Sequence, residues 1–254
     1  MRMFSWRFFR VWQRNRDVFF RLWPYEAPAA VIEPILLLLA FGVGIGAYMG
    51  LIDGEKYINF IAPGMIAGYA MFSASNECSW AAFLRMEHRH TYDAIMATPL
   101  NVEDITAGEI FWGATRAVMT ASVVLVVAAG FGLVVSPWSV LIIPLTFIEG
   151  VMFAAITLFY TSIIPSIYSY NYFFTLIINP LFLLSGVFFP LANFPEIFQK
   201  ISWATPLRPV VEITRDLFKG EFSTNIPLSL AIILAYTVLF FAITLVTMRR
   251  RVTK

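Results

Sequence analysis

Six stretches of this chain are almost unbroken in their apolar character, at residues 29–51, 57–83, 110–135, 138–165, 173–191 and 226–248. A bilayer core about 30 Å thick requires about 20 consecutive apolar residues in each crossing helix. The stretches meet that length, so the sequence predicts an all-α polytopic membrane protein with six transmembrane helices. Composition agrees: of 254 residues, 59% are apolar and only 13% charged, where soluble domains carry about 25% charged. So few polar groups cannot cover a water-facing surface, which excludes a soluble enzyme. The single cysteine, Cys78, excludes an internal disulfide and any Cys-rich metal site. A net charge of +2 gives no nucleic-acid footprint.

The placement of the positive charges sets an orientation, because cytoplasmic loops are enriched in Lys and Arg. With both termini inside, the inner side carries Arg2, Arg7, Arg10, Arg14, Arg16, Arg21, Arg85, Arg89, Arg116, Arg249, Arg250, Arg251 and Lys254. The outer side carries Lys56, Lys200, Arg208, Arg215 and Lys219. Thirteen against five predicts cytoplasmic N- and C-termini. The basic, aromatic N-terminus lacks the pattern of a cleavable signal peptide.

Three segments outside the spans have patterns of their own. Residues 1–25 predict an interfacial amphipathic helix, with Phe4, Phe8, Val11, Val18, Phe19 and Leu22 on one face and Arg7, Arg10, Arg14, Asp17 and Arg21 opposite. Pro24 and Pro28 are expected to end it before the first span. Residues 84–109 predict a short helix projecting into the cytoplasm, broken at Thr98-Pro99-Leu100 and restarted by Asn101 with Asp104 three residues on. Residues 190–225 predict an outside hairpin of two amphipathic helices. The first is marked by Asn193 and Glu196, Thr205-Pro206-Leu207-Arg208-Pro209 separates the two, and the second is closed by Gly220.

Catalytic patterns are missing. There is no phosphate-binding G-x-x-x-x-G-K-[ST] loop, no G-x-S-x-G and no H-E-x-x-H. His88 and His90 would point about 200° apart on a helix, with no carboxylate spaced to complete a metal set. The intramembrane carboxylates Glu77 and Glu149 are the default functional candidates. Each also has a structural reading: Glu77 could hydrogen-bond between helices, and Glu149 could be buried as a neutral acid. Tyr168, Tyr170 and Tyr172 could stack on sugar faces in a substrate pathway or serve as interfacial anchors. Gly42 and Gly46 form a G-x-x-x-G spacing that permits close helix approach, here expected between two copies.

The run Leu183-Leu184-Ser185-Gly186-Val187-Phe188-Phe189-Pro190, then Phe194-Pro195 and Ala204-Thr205-Pro206-Leu207, resembles the signature of type-2 ABC exporter permeases. Arg85-Met86-Glu87, Ala97-Thr98-Pro99-Leu100 and Gly108-Glu109 are similar to the same family, closest to the branch that exports nodulation lipo-oligosaccharides. One departure is Arg208-Pro209, where members often carry Thr-His.

The resemblance covers essentially the whole chain and implies one permease domain in a bacterial inner membrane, with its six-span region at 29–248. It implies a second copy of the chain, two copies of a separate ATPase that holds ATP and magnesium, and contact with membrane lipids. The cargo it implies is an amphiphile, a lipid-linked saccharide or lipo-oligosaccharide, with drug and antibiotic exporters as the alternative in the wider family. The 84–109 segment then becomes the ATPase-coupling element, through Glu87, His88, Tyr92, Asp93, Met96, Thr98 and Pro99. Tyr92, Ile95 and Met96 would fill a protein groove. A proton-coupled carrier would rest on Glu77 and Glu149, but carriers of that kind show internal repeats, and none is present here. Two lone glutamates likewise do not make a membrane-embedded enzyme.

Overall fold

The computed structural model describes residues 6–52 and 54–253, with residues 26–31 described by their backbone. Arg2, Phe4 and Lys254 lie outside the described residues. The fold is all-α: among the described residues the only non-helical pairing is an isolated bridge between Ile52 and Glu55. The helices are α1 (Phe8–Leu39), α2 (Tyr57–Asn76), α3 (Thr91–Met96), α4 (Val102–Gly130), α5 (Ile142–Ile163), α6 (Tyr170–Phe173), α7 (Asn179–Leu184), α8 (Glu196–Trp203), α9 (Leu207–Lys219) and α10 (Ile226–Val252).

Three of these helices are extended by π turns. Ala40–Gly44 prolongs α1, Glu77–Ala81 and Leu84–His88 prolong α2, and Phe174–Ile178 joins α6 to α7.

Among the described residues four segments are long and apolar enough to cross a membrane: Val102–Gly130, Pro137–Ile163, Ile167–Leu184 and Ile226–Val252. Of the other two expected spans, the first is described with its side chains from Ile32 onward, and Ile32–Ala47 is its later part. The second, α2, is 20 residues long but carries Asn59, Ser73, Ser75 and Asn76. It is also the helix most enclosed by protein: fifteen of its residues are buried. A helix sheathed by its neighbours needs less lipid-compatible surface.

α4 lies at the centre, packed against α1, α2 and α5, with α10 against α5 and α9 beneath α2. Small residues set the spacing. A Cβ on Gly150 would fall 2.7 Å from the Ala114 Cα, so α4 and α5 touch backbone to backbone. Gly42 and Gly46 act in the same way within one copy: a Cβ on Gly42 would meet the Ile58 Cγ1 at 2.6 Å, and one on Gly46 the Tyr57 Cβ at 3.5 Å. The close approach expected between copies is used inside the chain, to seat the end of α1 on the start of α2.

Pro24 and Pro28 do not end the first helix, which runs unbroken to Leu39. A proline removes one backbone bond and crowds the preceding turn, and membrane-associated helices absorb that loss where both flanks are held. Here Val11, Asn15 and Phe19, each four residues on from the last, are buried. The Trp12 indole donates to Thr115 Oγ1 at 2.8 Å, and Phe19 and Trp12 stand edge-on to Trp112.

The restart of α4 is as the sequence predicts. Asn101 and Asp104 form the reciprocal capping box, with the Asn101 N–H donating to Asp104 Oδ2 at 3.2 Å. Gly220 closes α9 in the left-handed conformation at φ +79°. The break between α8 and α9 is shorter than the sequence suggested, because α9 already begins at Leu207 and takes Pro209 into its first turn, where the missing N–H costs nothing. The departure from the family pattern, Arg208, clasps the two helices. It donates to Gln199 O at 2.9 Å and Ser202 Oγ at 2.6 Å, pairs with Glu212 at 2.8 Å and lies over the Trp203 ring.

Gly150→Ala should lower stability by about 1–3 kcal/mol, the usual cost of overpacking. Gly44→Ala, where a Cβ meets nothing within 4 Å, should change it little. Thermal midpoints of the purified protein in detergent would check the contrast, and equal midpoints would contradict the packing described.

Candidate functional site

One end of the bundle gathers the N-terminal helix, the projection and the C-terminus. The exposed side of the projection presents Glu87, His88, Arg89, His90, Asp93, Thr98 and Pro99. Two ion pairs and a hydrogen bond strap it to the helices on either side. Arg251 of α10 pairs with Glu87 at 2.9 Å, Arg249 reaches Glu103 at 3.5 Å, and Arg7 of α1 donates to Pro99 O at 2.7 Å. The two histidines are not paired for a metal: His90, itself in the left-handed conformation, stands 3.1 Å from Asp93. Among the described residues no cluster of three or more His, Cys, Asp or Glu could hold one.

Tyr92 departs from the expectation of a docking side chain. It is 1% exposed and turned into the bundle, while Ile95 and Met96 are half-buried against the core. Burial, and then the Glu109 carboxylate, push its phenol well above the ordinary range. The helix is so short that an apolar residue in its first turn packs back onto α2 and α4. Tyr92 anchors the projection, and the charged residues form its outer face.

Behind Tyr92 lies a buried charge network. Arg85 Nη1 donates to Glu77 Oε1 at 2.9 Å and Nη2 to Glu109 Oε2 at 2.6 Å, while Arg116 Nε stands 3.6 Å from Glu77 Oε2. Glu109 is fully buried, and Arg85 and Glu77 nearly so. On an ideal helix residues 77 and 85 would be about 80° apart. The intervening π turn adds one residue without adding a turn, which brings them to about 20° of one another. Arg116 also lies over the Phe19 ring at 4.1 Å, so α1 joins the same cluster. Glu109 and Arg85 stand in the sequence motifs quoted above, but nothing local signals that they meet across 24 residues.

Beside the network opens a cleft of about 840 Å³ between α1, α2, α4 and α7. Its polar lining includes Glu33, Ser73, Asn76, Glu77, Arg116, Thr120 and Asn179. Aromatic rings of Tyr69, Phe72, Trp80 and Phe182 face them. Thr120 donates to Ser73, and Ser73 to Arg116 O, which fixes the hydroxyls along one wall.

Of the pathway candidates, only Glu77 lines this cleft. Glu149 is fully buried in α5, with neither carboxyl oxygen hydrogen-bonded. Tyr170 is fully buried, its hydroxyl 2.7 Å from Thr161 Oγ1, which in turn donates to Cys78 O. It therefore clasps helices. Tyr168 and Tyr172 are exposed on the outer surface of the single chain.

The opposite end is tied by the Ser185–Pro190 run, which is a turn rather than a helix. Gly186 bends it at φ +80°, Arg215 of α9 donates to Gly186 O at 2.9 Å, and the Tyr57 hydroxyl donates to Phe188 O at 3.1 Å. Val187 and Phe188 are thereby buried against α2, where Gly64 leaves room for the Val187 backbone.

Breaking a buried charge set by removing one partner costs about 3–5 kcal/mol. Arg85→Met should do so by stranding Glu109. Adding Glu77→Gln and Glu109→Gln to that variant should restore much of the loss, and the fraction surviving a heat challenge on size exclusion would measure both. A triple variant no better than the single one would contradict the pairing.

A profile described as ABC-2 type transporter matches residues 7–219. The chain is 31% identical over 250 residues to Nodulation protein J of Sinorhizobium fredii (strain NBRC 101917 / NGR234), covering 97% of this chain and 94% of that one. It is 33% identical over 247 residues to Nodulation protein J of Rhizobium leguminosarum bv. viciae, covering 95% and 93%. It is 23% identical over 245 residues to Inner membrane transport permease YadH of Escherichia coli (strain K12), covering 92% and 91%.

Proposed function

We propose, from the fact that this chain belongs to the ABC-2 type transporter family, that it is the transmembrane subunit of an ATP-driven exporter. The cargo is an amphiphile with a saccharide head and a lipid tail, moved outward across the inner membrane. The observation that carries this reading is the large cleft, whose wall sets hydrogen-bonding side chains against aromatic rings. Hydroxyl-rich heads bond to carboxylate, amide and hydroxyl groups, and sugar faces and acyl chains both lie well on rings. The resemblance to the branch that exports nodulation lipo-oligosaccharides favours the same cargo.

In this reading the cleft-bearing chain works as two copies with two copies of a separate ATPase, which binds the ATP and magnesium. Six helices cross the membrane, α2 sheathed by the others, and both termini are cytoplasmic. The ATPase docks on the outer face of the projection, through Glu87, His88, Asp93, Thr98 and Pro99. Because Arg251 and Arg7 grip the same element, a push on the projection moves α10 and α1 with it. The π turns at Glu77–Ala81 and Leu84–His88 supply the give at the root of the projection, since such irregular turns mark the bending points of helices. Rocking of the packed bundles then opens the cleft to one side or the other.

The test is ATP hydrolysis by the reconstituted permease and its ATPase in liposomes. Lipid-linked oligosaccharides should stimulate it, and stimulation by hydrophobic drugs alone would move the chain to drug export. Glu87→Arg combined with Asp93→Arg should reduce co-purification of the ATPase severalfold while leaving membrane insertion intact. Tyr92→Ala should act on stability instead, by about 3–5 kcal/mol for a buried ring, and undiminished coupling in the charge-reversed variant would refute this docking face.

A further inference from the structure

Next to the cleft, and sharing Glu77, Ala81 and Leu84 with it, lies a second cavity of about 170 Å³ under the N-terminal helix. Its walls are apolar on the side of Val18, Phe19, Leu22 and Trp112. Its other lining residues are Arg14, Asn15, Arg85 and Arg89, together with Glu77 and Ala81 and Leu84 of the α2 extension.

Two buried donors among them have no acceptor. Asn15 is 3% exposed; its Oδ1 already accepts from Arg14 at 2.9 Å, and its Nδ2 has no partner. Arg85 uses its terminal nitrogens on Glu77 and Glu109, and its Nε is buried without a partner. Buried donors of this kind are nearly always satisfied in folded proteins. Among the described residues no carboxylate lies within ion-pair distance of Arg14 or Arg89. Among the described residues the cavity is thus lined by three arginines, Arg14, Arg85 and Arg89, against the one carboxylate Glu77, with Glu109 behind Arg85, so positive charge is in excess.

The lining is therefore basic, with guanidinium donors of Arg14 and Arg89 to offer to an anion. We propose that this cavity binds the phosphate group of an anionic lipid of the cytoplasmic leaflet, with its glycerol and acyl chains running out past Val18 and Leu22. A tetrahedral phosphate offers acceptor oxygens in several directions, and guanidinium groups match them with paired donors. The apolar rim beside a basic floor suits a lipid better than a free ion. Val18 and Leu22, 40% and 44% exposed at the mouth, are otherwise left to water or lipid. The site requires that the chain lie in a bilayer but is independent of cargo and of the ATPase, so its test separates from the one above.

The full chain, purified in neutral detergent, would be titrated with short-chain phosphatidylglycerol, phosphatidylcholine or inorganic phosphate while its thermal midpoint is followed. Phosphatidylglycerol should raise the midpoint saturably, phosphatidylcholine should not, and the effect should persist in added salt because enclosed charges are weakly screened. Arg14→Gln and Arg89→Gln should each weaken the apparent affinity, by roughly tenfold together. Arg89 is exposed and unpaired, so its variant leaves the fold untouched and keeps the test valid if Arg14→Gln is unstable. Arg10→Gln with Arg21→Gln, on the same helix but outside the cavity, should change the affinity little. Equal weakening by that control pair would overturn the site in favour of diffuse surface charge, as would a phosphatidylcholine response of the same size. Inorganic phosphate that saturates the effect alone and displaces the lipid would overturn the lipid source and leave a free oxyanion site.

Discussion

Arg85 sits between Glu77 and Glu109, and much of the end of the bundle that carries the projection is arranged around that contact. A carboxylate as enclosed as Glu109 can carry its charge at a tolerable cost when a partner neutralises it. Meeting that requirement fixes the face of α2's extension that turns toward α4, and with it the position of Tyr92 and the root of the projection. Arg116 extends the cluster to Phe19, so α1 is held by charge and ring contact as well as by its apolar packing. Such a cluster is a weak source of net stability, because desolvation offsets much of the attraction. Its contribution is to specify one arrangement of three helices.

The two ends of the bundle are held differently. At the basic end, long side chains cross between separate elements, from Arg251 to Glu87 and from Arg7 to Pro99. These are exposed contacts, individually weak and sensitive to salt, suited to a region that must shift. At the other end a backbone turn is pinned by hydrogen bonds to its own carbonyls, from Arg215 and Tyr57. That end is stiff, and α8 and α9 are locked onto one another through Arg208.

What the sequence made legible was short-range. The capping pair Asn101 and Asp104 and the Gly220 stop act within a few residues, so their chemistry is complete in the local string. Apolar periodicity likewise identified the helical segments, though of the apolar face it gave α1 Val11 and Phe19 are buried in the bundle while Val18 and Leu22 are exposed. The rest depended on partners. A glycine spacing such as Gly42 and Gly46 announces close approach but does not say to which helix. Glu77 reads as a lone intramembrane acid until Arg85 is brought round to it, and that rotation comes from a π turn with no simple sequence signature. Pro24 and Pro28 were misleading because a proline's penalty is local, whereas the helix they interrupt is held by residues on both sides. The count of crossing helices is ambiguous for a related reason: hydropathy scores a helix by its composition, and α2, the most enclosed, is allowed to be more polar.

The four π turns have a consequence for how the chain tolerates changes in its length. Each holds one residue more than the regular helix needs. Loss of a residue inside Glu77–Ala81 lets that turn relax to ordinary α geometry, with the helix on both sides still in register. α4 has no such slack, being regular from Val102 to Gly130. A deletion near its start would rotate everything before it by about 100° and part its capping turn and the Glu103–Arg249 contact from the rest of the helix. Homologous chains should therefore vary in length along α2's extension, and hold α4 to a fixed count.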